Sequence, residues 1–148
     1  MKSPFWLFIF IAPLFLAACI SSEVGVVIEE SQGSLQETRH HIAAILGEPK
    51  DVSENGREVF SNYFSAKGVY IAPQDNVKER FFSHILILGE RRPYDIDVRV
   101  YRETRRKNGL YIATGLDMAQ SKKLALKLKA ALNESREKRN VIDDFQAF

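Results

Sequence analysis

The sequence has a single cysteine, Cys19, and a single tryptophan, Trp6. One cysteine excludes an intramolecular disulfide and any cysteine-based zinc site. A domain built this way outside the cytosol must therefore hold together through its core alone. Long apolar runs are equally scarce. Beyond Ala18 no stretch approaches the roughly 20 residues that a membrane-spanning helix needs. The familiar catalytic signatures are missing too: there is no G-x-S-x-G, no Gly-rich phosphate loop and no H-E-x-x-H. No internal repeat or low-complexity segment is present.

What is present begins at the N-terminus. Lys2 is followed by an apolar run from Phe5 to Ala18, interrupted only by Pro13, and the polar residues Ser21, Ser22 and Glu23 stop it. The run has the length of a signal-peptide core rather than a membrane span. It ends in Leu16-Ala17-Ala18-Cys19, which resembles the lipobox of bacterial lipoproteins. That resemblance implies removal of residues 1–18 and attachment of diacylglycerol to the Cys19 thiol, often with acylation of the freed amine. Two or more acyl chains anchor a protein stably where one holds it only marginally. A lipidated Cys19 is also no nucleophile. In the enteric sorting rule an aspartate after the lipidated cysteine retains the protein in the inner membrane. Ile20 stands there, which implies the outer membrane, facing the periplasm.

Residues 19–32 read as the lipidated end and a tether, with a short strand within Val24–Ile28, and residues 33–148 as one globular domain. Ser34 and Glu37 have capping-box spacing, and Leu35, Ile42, Ile45 and Leu46 form the apolar face of a helix closed by Gly47 and Pro49. After a polar loop over 50–56, strands are expected around 57–64 and 66–72, then from 79 to 89. The clearest alternation follows, with Tyr94, Ile96, Val98 and Val100 on one face and Asp95, Asp97, Arg99 and Tyr101 on the other, wet one. Asn108-Gly109 predicts a two-residue hairpin turn into a strand over 110–113. A last helix, capped by Asp117, carries the stripe Leu124, Leu128, Ala131 and Leu132. The tail with Phe145 and Phe148 is expected to dock on the body. The expected fold is α+β, in the order α-β-β-β-β-α, with two helices on one face of a three- to four-stranded antiparallel meander.

Candidate site residues are few. His40 and His41 are adjacent, whereas ligands on one helix face need a spacing of three or four, so they read as ordinary histidines; neither metal nor cofactor is expected. Asp95 and Asp97 share a strand face with Arg99, and cross-strand charge pairing accounts for them. Catalysis there requires both to line a cleft with His84. Asn133-Glu134-Ser135 matches a glycosylation acceptor by chance, inside a helix.

The net charge of +2 hides an asymmetry. Arg and Lys are dense between Arg99 and Arg139, opposed only by Glu103, Asp117, Glu134 and Glu137. Arg91 and Arg92 sit at one turn, and Arg105, Arg106 and Lys107 at another. These turns read either as contacts for anionic lipid or lipopolysaccharide phosphates, or as solvated charge protecting strand edges. The leading expectation is a non-catalytic envelope lipoprotein, held to a membrane at Cys19, that binds another envelope protein as an adaptor or assembly factor. The alternative is a periplasmic lipid or lipopolysaccharide binder using the basic turns. A nucleic-acid partner is not expected in that compartment.

Overall fold

The computed structural model describes residues 24–138, so the apolar leader, Cys19 and the tail with its docking expectation fall outside the described residues. Within them the order is β1 (Val26–Ser31), α1 (Leu35–Leu46), β2 (Asp51–Val52), β3 (Glu58–Phe60), β4 (Glu79–Leu88), β5 (Tyr94–Arg105), β6 (Tyr111–Leu116) and α2 (Met118–Lys138). The class is α+β with an antiparallel sheet. The sheet has six strands rather than three or four, and a strand precedes the first helix.

The central pair is β4 and β5, in register over their whole length, with Ile85 opposite Val98 and Ile87 opposite Ile96. Alternation decides the faces. Phe81, Ser83, Ile85 and Ile87 of β4 and Ile96, Val98 and Val100 of β5 are buried on one side. Ile42 of α1 and Leu124, Ala125, Leu128 and Leu132 of α2 share that core. Leu124, Leu128 and Leu132 belong to the apolar stripe read from the sequence, whereas Ala125 rather than Ala131 joins them in the core.

β4 fills one edge of β5. The other edge is divided: β1 pairs with residues 94–98 and β6 with residues 101–105. The break falls at Val100, and α2 closes it. The Ser121 hydroxyl accepts the Val100 N–H at 2.9 Å and donates to the Asp117 carbonyl at 2.8 Å. The Asp117 N–H in turn donates to the Val100 carbonyl at 2.7 Å.

Helix ends follow local chemistry. The Ser34 side chain accepts from the Glu37 N–H and the Glu37 carboxylate accepts from the Ser34 N–H, the expected capping box. Asp117 caps α2 by accepting from the Gln120 N–H.

Several elements differ from the sequence reading. The short strand expected within Val24–Ile28 is present but runs over Val26–Ser31 as β1, so the sheet starts inside the segment read as a tether, before residue 33. The loop at 50–56 contains β2, which finds its partner in β3. Residues 66–72 do not form a strand. They make a tight turn in which the Ser65 N–H donates to the Val69 carbonyl, with one bridge from Phe64 to Tyr70. The β5–β6 connection is not a two-residue turn: it spans residues 106–110, with the Arg106 N–H donating to the Leu110 carbonyl. Only Gly109 takes a positive φ, of 83°, so Asn108 is not in the left-handed region.

Ser121→Ala should lower stability by about 1–3 kcal/mol, because it leaves the buried Val100 N–H without an acceptor. Urea denaturation checks this; a loss within a few tenths of a kcal/mol would mean that the gap needs no such closure.

Candidate functional site

Among the described residues, no segment packs over the sheet face opposite the helices except the chain at Gly25. This face carries the other register of β4 and β5, pairing Arg80 with Glu103, Phe82 with Tyr101, and His84 with Arg99. Its rings stack across strands. Phe60 of β3 lies parallel to His84 at 4.2 Å, and Phe82 lies over Tyr101 at 5.3 Å. Tyr63 meets Phe82 edge-on at 6.1 Å.

Arg80 is the most constrained side chain on this face. Its guanidinium lies between the rings of Tyr63 and Tyr111, at 3.7 and 3.6 Å from their centroids, while its Nε donates to Glu103 at 2.7 Å. Stacking and pairing together suit the planar guanidinium, which a lysine could not replace. Lys50 sits 5.4 Å above the other side of this cluster, over Tyr63. Beside this cluster opens a cleft of about 250 Å³, lined by Lys50, Asp51, Phe60, Tyr63, Phe82 and Glu103.

Asp95 and Asp97 lie on the same face, and each bonds to the backbone of the β1 segment. Asp95 accepts the Glu30 N–H at 3.0 Å, where β1 bulges, and Asp97 accepts the Gly25 N–H at 3.0 Å. The two carboxylates thus bracket β1 at its ends. Asp97 was expected in water yet is only 3% exposed. The chain at Gly25 covers it so closely that a Cβ there would meet the Asp97 carboxylate and the Val98 carbonyl oxygen at 2.4 Å. Only glycine permits that approach.

The charge pairing on this face is also different from the expected cross-strand pattern for Arg99. Arg99 turns back along its own strand and forks onto Asp97, at 2.9 and 2.5 Å. That hydrogen bond, chiefly, keeps the guanidinium more firmly protonated than usual. The cross-strand pairs are instead Arg80 with Glu103 and His84 with Glu58, the latter at 3.2 Å. His84 therefore faces Phe60 and Glu58, and neither it nor the two aspartates line the cleft. His40 and His41 remain on α1, their rings at 5.9 Å. Among the described residues no three His, Cys, Asp or Glu side chains converge as a metal site.

The basic turns do not come together. Arg91 and Arg92 are exposed after β4, where Arg57 ties down the carbonyls of Gly89 and Glu90. Arg105 ends β5, bonding the Gly109 carbonyl at 3.3 Å, and Arg106 and Lys107 are exposed beside it. The 12 residues of β5 separate the two groups by roughly 35 Å.

The sequence reading identified Arg99 and Tyr101 on this face but missed Arg80, Tyr63 and Tyr111. The alternation of Arg80, Phe82, His84 and Leu86 was available as a signal. Tyr63 and Tyr111 come from separate segments, so nothing local placed them.

No protein-family model, curated protein or solved structure matches the chain.

Asp97→Ala should cost about 3 kcal/mol, since it strands both Arg99 and the Gly25 N–H. Asp95→Ala, at an exposed contact, should cost about 1 kcal/mol or less. Equal losses in denaturant titrations would contradict the roles given to these residues.

Proposed function

We propose that this chain is a non-catalytic bacterial envelope lipoprotein, anchored by lipid at Cys19, whose open sheet face binds another envelope protein. It would act there as an adaptor or assembly factor. The observation that carries the reading is the cross-strand aromatic face, at whose centre Arg80 pairs with Glu103 and Arg99 with Asp97, with Lys50 and Asp51 at the edge of its cleft. Interface cores are enriched in Tyr, Phe and Arg and depleted of unpaired charge. Arg80–Glu103 and Arg99–Asp97 satisfy one another, and the His84 ring is hydrogen-bonded to Glu58. A partner could therefore cover them without leaving an ion stranded.

The cleft suits a partner's side chain. At about 250 Å³ it falls below the roughly 300–1,000 Å³ of pockets that enclose small molecules. An aromatic or aliphatic anchor from an extended segment would fill it, as interface hot spots do.

The lipobox resemblance supplies the anchor and Ile20 the destination, the outer membrane facing the periplasm. Among the described residues no helix is long and apolar enough to cross a membrane. The rival reading, lipid or lipopolysaccharide binding through Arg91, Arg92, Arg105, Arg106 and Lys107, would need a ligand surface spanning both ends of β5.

Two experiments test the proposal. Cys19→Ala should abolish incorporation of labelled palmitate and release the chain from the membrane fraction, and Ile20→Asp should move it to the inner membrane. Continued labelling of Cys19→Ala would refute the anchor. In mild-detergent purification from native membranes, a stoichiometric protein should be lost with Phe82→Asp but retained with Arg105→Glu/Arg106→Glu. Recovery of phospholipid or lipopolysaccharide alone, released by salt and lost with the arginine variant, would overturn the protein-binding reading.

A further inference from the structure

A second surface lies on the helical side of the molecule, away from the aromatic face. The turn at 65–69 is fastened to α2 because its Ala66 carbonyl accepts from Gln120 at 3.3 Å and from Lys123 at 3.4 Å. This leaves a shallow groove with an apolar floor of Leu46, Phe64 and Leu124, rimmed by Lys67, Lys123 and Lys127 and lined by no acidic side chain. None of these lysines has an ion-pair partner among the described residues.

The surroundings extend the pattern. From Met118 to Asn133, α2 carries Lys122, Lys123, Lys127 and Lys129 without one carboxylate. Val69 and Tyr70, on the turn that bears Lys67, are 63% and 61% exposed. Leu126 on the same helix is 60% exposed. Unpaired lysines beside exposed apolar and aromatic side chains are the composition of surfaces that rest in a lipid headgroup layer.

We propose that this lysine-rimmed groove docks the domain on an anionic phospholipid bilayer, with phosphate groups at Lys67, Lys123 and Lys127 and with Val69 and Tyr70 at the headgroup level. The chain from Cys19 to Gly25 spans at most about 20 Å when extended. An anchored domain is thus held within reach of the bilayer. That reach depends on the anchor at Cys19, whereas the charge and exposure of the groove do not. Docking by the helical side directs the aromatic face away from the membrane, towards a partner.

The test is amine acylation of the full lipoprotein, read residue by residue by mass spectrometry, on phosphatidylcholine vesicles and on vesicles that also contain phosphatidylglycerol. A basic residue near an anionic surface gains enough to change an equilibrium about fivefold. Lys67, Lys123 and Lys127 should therefore react about fivefold more slowly, or slower still, on the anionic vesicles, and recover in high salt. Lys50, on the opposite face, should not change. Lys67→Glu/Lys127→Glu should restore the Lys123 rate without shifting the thermal midpoint.

Equal rates on both vesicles would overturn the proposal. So would protection of Lys107 with the groove lysines unchanged, or protection by inorganic phosphate as great as by the bilayer. Retention on the neutral vesicles reads the anchor separately: a chain that leaves them refutes lipidation at Cys19, and the lysine pattern on the anionic vesicles still decides the groove.

Discussion

One edge of one strand organises this molecule. β5 must pair with β1 along its first half and with β6 along its second, and two strand ends cannot meet without leaving a break in the ladder. A broken ladder in a core exposes donors and acceptors that nothing else satisfies. Here α2 enters at the break, and Ser121 and Asp117 supply the missing partners of Val100. The start of α2 is thereby fixed on the sheet, and the helix can lay Leu124, Leu128 and Leu132 over the buried face. The aspartates of β5 help to fasten β1 to the same edge, since β1 is short, bulged and, among the described residues, without a partner strand on its other side.

The two faces of the sheet are consequently unlike. One is closed by helices. On the other, large side chains alternate with charges that find each other, and Arg80 is held by Tyr63, Tyr111 and Glu103 at once. Rings and guanidinium groups held in this way lose little further freedom on meeting a partner, and ordering such groups is a large part of what association costs. The rigidity follows from the strand register, which brings each ring over its neighbour.

Local chemistry was legible in the sequence and distant pairing was not. The Ser34–Glu37 box, the Asp117 cap, the alternation from Tyr94 to Tyr101 and the stripe on α2 each depend on residues a few positions apart. The chain pattern alone specifies them. β1 and β2 are short strands whose identity comes from a partner: β1 is a strand because β5 has an unfilled edge, and β2 because β3 lies beside it. The burial of Asp97 is made by Gly25, 72 positions away. No periodicity within β5 could reveal a covering segment from elsewhere. Residues 66–72 illustrate the reverse case. Their β-prone composition suggested a strand, but Gly68, with φ of 84°, turns the chain at once and leaves too few residues to pair. The candidate face was half visible, through Arg99 and Tyr101. Its centre was not, because Arg80 acquires its meaning from two tyrosines on other segments.

The clamp at Gly25 also has a mechanical side. Tension on the chain upstream of Val24 enters the body at the end of β1. A pull along the strand axis loads the pairs of Val26, Val27, Ile28 and Ser31 with β5 in shear, whereas a pull across it would peel them in turn. The Asp97 bond to the Gly25 N–H lies at the first point loaded, ahead of the ladder. On the proposed anchoring, the strand nearest the anchor is thus reinforced where a pull would arrive.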